Sequence, residues 1–281
     1  SHVGILYEDL FPRSSKRGGA WMNPLRSQGM VNTNDICRPH ISLTCNLTKP
    51  TEEKPSLLTY REVETIFHEF GHCLHGLLSD RKYKRLSGTS VFWDFVELPS
   101  QIMENWVGEE EALELFAHHY ETGEVLPKEL LHKIKKSKNF RSGTNCLRQL
   151  TFGYLDMAWF GQHNDVDNVE EFERKAVEKT MLREQDTPGA SISTMFAHIF
   201  AGGYSAGYYS YKWAEVLEAD AFEKFQEEGI FNKQTAKSFR NNILSQGNIK
   251  HPLELYRHFR GREPKVEPLL KREGLLQVNH P

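Results

Sequence analysis

From residue 59 onward the apolar positions follow a helical rhythm. Val63, Ile66, Phe67, Phe70, Leu74, Leu77 and Leu78 recur at spacings of one, three or four, which gathers them on one broad stripe of an α-helix. Thr59-Tyr60-Arg61-Glu62 stands ahead of them as a capping box, with Thr59 at the N-cap and Glu62 reaching back to it. Residues 93–106 read as a second helix, interrupted by Pro99. A proline there removes one intrahelical hydrogen bond, so a bend is predicted just after Glu97. Further helices are predicted near 109–121, 128–138, 144–161, 168–184, 191–199, 204–228, 232–245, 251–259 and 264–272, with Gly123 and Pro127 stopping the first of these. The first fifty-eight positions lack this rhythm. Segments 5–8 and 41–46 are short apolar and β-branched runs bounded by glycine and proline, which predicts strands. Residues 14–34 between them are polar and glycine-containing and predict a loop. The pattern as a whole predicts a mainly α fold with a small β-sheet near the N-terminus. A single domain over 1–281 is expected, with 1–58 as its strand- and loop-rich edge and 59–281 as its helical body.

Composition narrows the function classes. The chain has 281 residues, 38% hydrophobic and 26% charged, with a net charge of −3, enough for a sizeable core. The clustered basic face that nucleic-acid binding needs is missing. The lysines of 133–138 read as a solvated helix face. No apolar run reaches the eighteen residues of a membrane span. The four cysteines, Cys37, Cys45, Cys73 and Cys146, are widely spaced without a Cys-x-x-Cys pair, as expected of a reduced, cytoplasmic protein. Cys73 is expected to be a small buried residue, and His75 to have a structural or hydrogen-bonding role.

The chemistry is concentrated at His68-Glu69-Phe70-Gly71-His72. In His-Glu-x-x-His on a helix the two histidines lie one turn apart on one face and can reach one metal ion. The glutamate between them is placed to act as a general base on a water held at the metal's open position. Gly71 costs about 1 kcal/mol of helix propensity and suggests close approach of another backbone. The pentapeptide alone is a weak signal, and a third ligand is needed. His75 and Leu78 occupy the positions where a metzincin would place its glycine and third histidine, which excludes that class. A spacing of about twenty residues lands near Phe92, which cannot bind metal. Asp94, Glu97 and Glu104 remain as candidates, with Ser100, Gln101 and Glu104 also placed to orient a ligand.

Three blocks in order, HEFGHCLH, SGTSVFWDFVELPSQIMENW and FAHIFAGGYSAGYYSYKW, resemble the thimet oligopeptidase family, peptidase family M3. The likeness runs from Ile5-Leu6-Tyr7-Glu8-Asp9-Leu10 to Leu244-Ser245-Gln246-Gly247-Asn248, and is greatest toward the oligopeptidase A branch, with the dipeptidyl carboxypeptidase branch next. The resemblance implies one zinc ion per chain on His68, His72 and Glu97, with Glu69 as general base. It implies that His198, Tyr204 and Tyr211 contact substrate or the oxyanion, and that Tyr208, Gly88, Gly202 and Gly203 help bind substrate. Members are usually more than twice this length, so the chain would be the C-terminal catalytic part, with the N-terminal half as its missing partner.

Tyr204, Tyr208 and Tyr211 are spaced i, i+4, i+7 and would share one helix face, beside the freely turning Gly202-Gly203 pair. An aromatic packing stripe is the plain alternative. Tyr209 points elsewhere and is expected to pack. The loop 86–90, with Gly88, would act as a lid by the same resemblance, or as a plain connector. The strand near 43–46 is expected at a sheet edge, where an extended peptide could pair with it. The expected activity is hydrolysis of internal bonds in short unfolded peptides by a monomer. Release of C-terminal dipeptides is one alternative, and a zinc-binding peptide-recognition fragment with little turnover is another. A non-enzymatic helical scaffold would require all seven site residues to be coincidental.

Overall fold

The computed structural model describes residues 2–32, 35–161, 165–182, 187 and 189–276. The chain opens with a three-stranded sheet formed by β1 (Ile5–Asp9), β2 (Trp21–Arg26) and a later strand, preceded in sequence by a small antiparallel pair of β3 (Gly29–Met30) and β4 (Ile36–Cys37). The third strand, β5 (His40–Thr44), is central. It runs parallel to β1 and antiparallel to β2, in the order β1-β5-β2. The expectation for segment 43–46 is thereby corrected, because β5 is enclosed on both sides and the edges are β1 and β2. The loop expected over 14–34 is corrected too. Trp21 and Met22 pair with Thr44 and Leu43, and the register slips between Pro24 and Arg26. A proline without an N–H is tolerated there because β2 is an edge strand.

Helices follow. They are α1 (Tyr60–Leu77), α2 (Leu98–Glu104), α3 (Glu110–Phe116), α4 (Lys128–Lys138), α5 (Ser142–Phe160), α6 (Val169–Val177), α7 (Ala197–Phe200), α8 (Ser210–Glu228), α9 (Lys233–Phe239), α10 (Pro252–Arg260) and α11 (Glu267–Arg272). The fold is mainly α with a small N-terminal sheet, as the pattern predicted. Several bounds differ. The segment 109–121 is helical only over α3, and 117–126 folds back as a turn in which His119 N–H donates to Glu124 O and Leu126 N–H to Ala117 O. Gly123, at φ 71°, supplies the reversal. Beyond α6 the helix expected to 184 gives way to turn at 178–180, and 183–184 lie outside the described residues. The stretch 232–245 widens into a π-helical turn at Arg240–Leu244.

α1 is clamped between two apolar clusters. Ile66, Phe70, Cys73 and Leu77 pack on the sheet with Ile41 and Leu43. Leu74 and Leu78 face the larger cluster built by Phe95, Leu98 and Ile102 with Phe222 of α8 and Tyr256 and Phe259 of α10. The third face of α1 carries His68 and His72, both half-buried. The capping box is present as predicted: Glu62 N–H donates to Thr59 Oγ1, and Thr59 N–H to Glu62 Oε2. These hydrogen bonds, that to the Thr59 backbone first, hold the Glu62 carboxyl at about 2.

Gly71 fixes how closely α2 can approach. A Cβ at this position would lie 2.2 Å from Pro99 O and 2.6 Å from Ser100 Cα. Both are backbone-anchored and cannot turn away. Gly71→Ala is therefore expected to push α2 off α1, at about 1–3 kcal/mol in stability, and to reduce metal retention because Glu97 precedes α2. Urea unfolding with metal analysis of the same sample checks both, and an unchanged midpoint with full metal content would refute it.

Candidate metal centre and the tyrosine turn

Helical spacing brings His68 and His72 to one face of α1, with the rings edge to face at 5.1 Å. The segment before α2 brings Glu97 against them. Glu97 Oε2 lies 3.4 Å from His68 Nε2 and 3.2 Å from His72 Nε2. One donor atom from each of the three lies within 4.8 Å of the others. Two imidazoles and one carboxylate fit the protein donor set of a catalytic zinc site. The carboxylates of Glu97 and Glu104 around the histidines favour positive charge at this position. Burial would raise the Glu97 carboxyl, but the hydrogen bonds and charges of His68 and His72 outweigh it and hold Glu97 well below its usual range. Burial would lower His68, but Glu104 and Glu97 outweigh it and raise the imidazole to about 10.

The three carboxylates that the sequence left open as third ligand separate cleanly. Asp94 accepts the Tyr209 hydroxyl at 2.8 Å and is not part of the donor cluster. Glu104 Oε1 sits 2.6 Å from His68 Nδ1, the ring nitrogen that does not face the cluster. A carboxylate there fixes the tautomer and orientation of the ligating ring. Ser100 Oγ donates to Glu97 Oε2 at 2.7 Å, and Gln101 Nε2 to Tyr211 O at 3.3 Å. Glu104→Gln is expected to lower metal affinity about 10- to 100-fold, measured by competition with a chelator of known affinity. Unchanged affinity would assign Glu104 to packing alone.

Pro99 is not in a helix interior, contrary to the sequence expectation. α2 starts at Leu98 with Glu97 as its N-cap, and Pro99 stands in the first turn, where its missing N–H costs nothing. No bend is needed. Glu97 O still accepts the first helical hydrogen bond, from Gln101 N–H at 2.9 Å.

Glu69 is 6% exposed, and its Oε2 has no hydrogen-bond partner among the described residues. Burial raises its carboxyl above the usual range, partly offset by His68 and His72. Cys73 is fully buried, and burial pushes its thiol up to about 12. His75 is fully buried and neither ring nitrogen has a partner among the described residues. Burial lowers its imidazole to about 3. Its role is in packing, without the hydrogen bond that was the other expectation.

The tyrosines converge, but not by helix spacing. α8 starts only at Ser210, and residues 204–209 form an irregular turn. The Tyr204 and Tyr211 rings nevertheless stack at 5.0 Å and 22°, and Tyr208 meets Tyr211 edge to face at 5.3 Å. His198 of α7 packs edge to face on both Tyr204 and Tyr208 at 6.0 Å. Burial, then the neighbouring Tyr204, then the charge of Glu97 raise the Tyr211 phenol far above its usual range. Burial raises Tyr204 as well, with Glu97 and Glu69 adding to the rise. Tyr208, Tyr211, His198, Gln101 and Glu104 all line one groove of about 1140 Å³.

The glycines divide. Gly202 lies against the His198 backbone, where a Cβ would come within 2.8 Å of His198 O, and Gly203 turns at φ 84°. Gly88, at φ 60°, is buried against Gly76 of α1 and its N–H donates to Ser79 Oγ. Tyr209 was expected only to pack, yet its hydroxyl holds Asp94, and burial followed by that carboxylate pushes it to about 12. Asp156, on α5, was not singled out from the sequence at all. It is fully buried, and Oδ1 and Oδ2 accept the N–H groups of Ala206 and Tyr208.

A family model described as Peptidase family M3 matches residues 1–275. The chain belongs to that family. It is 47% identical over 97% of its length to oligopeptidase A of Escherichia coli and 40% identical over 97% to dipeptidyl carboxypeptidase of Salmonella typhimurium, covering 40% of each. The chain thus spans well under half the length of these relatives. A solved structure, "BsuCP Crystal Structure", shares the fold at TM-score 0.58 and 16% identity, over 97% of this chain and 54% of that one. No helix among the described residues is long and apolar enough to cross a membrane.

Proposed function

We propose that residues 1–281 form one catalytic unit of a zinc-dependent oligopeptidase that hydrolyses internal bonds of short, unfolded peptides. The observation that carries this reading is the cluster of His68, His72 and Glu97 donor atoms with the buried Glu69 carboxylate beside it, whose Oε2 has no partner among the described residues. A zinc ion at those three residues would supply a Lewis acid for the scissile carbonyl and lower the pKa of water toward about 7. Glu69 takes the proton of the attacking water and returns it to the leaving amine. His68 is kept in register by Glu104, and Glu97 by Ser100. The hydroxyls of Tyr211 and Tyr204, with His198 behind them, donate to the developing oxyanion. The raised phenol pKa values support this role, because both groups stay protonated donors through neutral pH. Tyr208 and the Gly202-Gly203 turn border the path of the peptide. Gly88 acts, if as a lid, through movement of the 86–90 loop.

The oligopeptidase A relative, at 47% identity against 40% for the dipeptidyl carboxypeptidase, supports endopeptidase cleavage. A monomer in a reducing, cytoplasmic setting fits the four free cysteines. The relatives' further length would supply the remaining wall of the groove. Zinc per chain, measured by elemental mass spectrometry on protein purified without chelator, is expected near one. A value near zero that added zinc does not restore would overturn the reading. Cleavage of a quenched peptide with an amidated C-terminus is expected to proceed. Cleavage only when the carboxylate is free would assign the dipeptidyl activity instead. Bound zinc with peptide binding but no turnover would leave a recognition fragment.

A further inference from the structure

Granting the tyrosine roles proposed above, we infer that Asp156 is a positioning residue that holds the 204–211 turn in the one backbone shape that presents Tyr204, Tyr208 and Tyr211 together. Asp156 is fully buried on α5, and Oδ1 accepts Ala206 N–H at 2.8 Å while Oδ2 accepts Tyr208 N–H at 2.9 Å. Between these two bonds Ala206 stands at φ 53°, a left-handed conformation that a residue with a Cβ adopts only when its surroundings impose it. A buried carboxylate without adequate partners is strongly unfavourable. Here its two oxygens are satisfied by two main-chain donors of the turn. Only a carboxylate offers acceptors on both sides; an amide of the same size would set an NH₂ against one of the N–H groups.

The turn is held from its far side as well. Tyr209 donates to Asp94, three residues ahead of Glu97, and Trp93 packs on Tyr204 at 4.8 Å. With Asp156 released, the tyrosine turn would keep the Tyr209–Asp94 bond but lose the shape between Tyr204 and Tyr208, and with it the seating of Trp93 on Tyr204. A displacement of about 1 Å at positioning groups is enough for a 100-fold loss.

Asp156→Asn is expected to lower kcat about 10- to 100-fold, with KM and zinc content little changed. Adding Ala206→Gly should recover part of the loss, because glycine takes positive φ without help. A fall in melting temperature with unchanged kcat, or no recovery in the double variant, would overturn the inference and leave Asp156 a structural residue. A readout independent of turnover separates this from failure of the peptidase reading. In protein labelled with 5-fluorotryptophan, the ¹⁹F resonance of Trp93, assigned with Trp93→Phe, should shift or broaden in Asp156→Asn and return toward its original position in the double variant. An unmoved resonance would count against the inference even if the wild type turned over no peptide. Should Asp156→Asn not fold, hydrogen exchange on the unaltered chain decides. The Ala206 and Tyr208 amides must exchange far more slowly than the exposed Gly203 amide, and equal rates would overturn the inference.

Discussion

Glu69→Gln is expected to lower turnover about 10²- to 10⁴-fold while leaving one zinc per chain in place. The two halves of this expectation come from different observations. Glu69 lies outside the donor cluster of His68, His72 and Glu97, so its loss takes no ligand away. Yet its carboxylate is buried beside that cluster, and Oε2 has no partner among the described residues. A charge in that position is costly to keep unless something uses it. Burial raises the carboxyl, which favours a base that can take a proton and give it back near neutral pH. Glutamine has the same shape and packs the same way, but cannot take the proton. The measurement is kcat on a quenched peptide, with elemental analysis of the same preparation. Loss of the metal would mean that Glu69 is a ligand, and full activity would mean that another group takes the proton.

What the sequence made legible follows the range of the interactions involved. The capping box of α1, its apolar stripe and the metal face of His68 and His72 are set within one or two helical turns, and local spacing is enough to read them. The same arithmetic failed for the tyrosines. A spacing of i, i+4, i+7 implies one helix face, but the stacked rings arise from a turn with positive φ at Gly203 and Ala206. That turn is held by Asp156, about fifty positions earlier, and no local window contains both. Pro99 was ambiguous because the start of α2 depends on Glu97 meeting the histidines across the fold, which decides whether the proline falls in a helix interior or its first turn. β2 read as loop because it lies within the polar, glycine-containing stretch 14–34, and it contains Pro24 and Arg26. It pairs because β5 offers a partner and an edge position tolerates both residues. The choice among Asp94, Glu97 and Glu104 likewise needed the third dimension, which gives each carboxylate a different neighbour.

Tyr211→Phe is expected to lower kcat by about 100- to 1000-fold, the usual effect of losing one oxyanion donor, with a smaller change in KM. The ring would remain stacked on Tyr204, since the stack at 5.0 Å and 22° involves the faces and not the hydroxyl. The stacking is therefore preserved, and the variant loses one hydroxyl donor together with its hydrogen bond to Tyr204. Burial, Tyr204 and the charge of Glu97 keep that donor protonated well beyond the usual phenol range, so it is in its donating form at every pH where peptides would be assayed. A donor that acts on charge developing in the transition state changes kcat, whereas one that only grips the substrate changes KM. Separate determination of the two constants distinguishes these cases. If KM rose with kcat intact, Tyr211 would belong to substrate binding. If neither moved, the oxyanion role would pass to Tyr204, and Tyr204→Phe would then carry the loss in kcat.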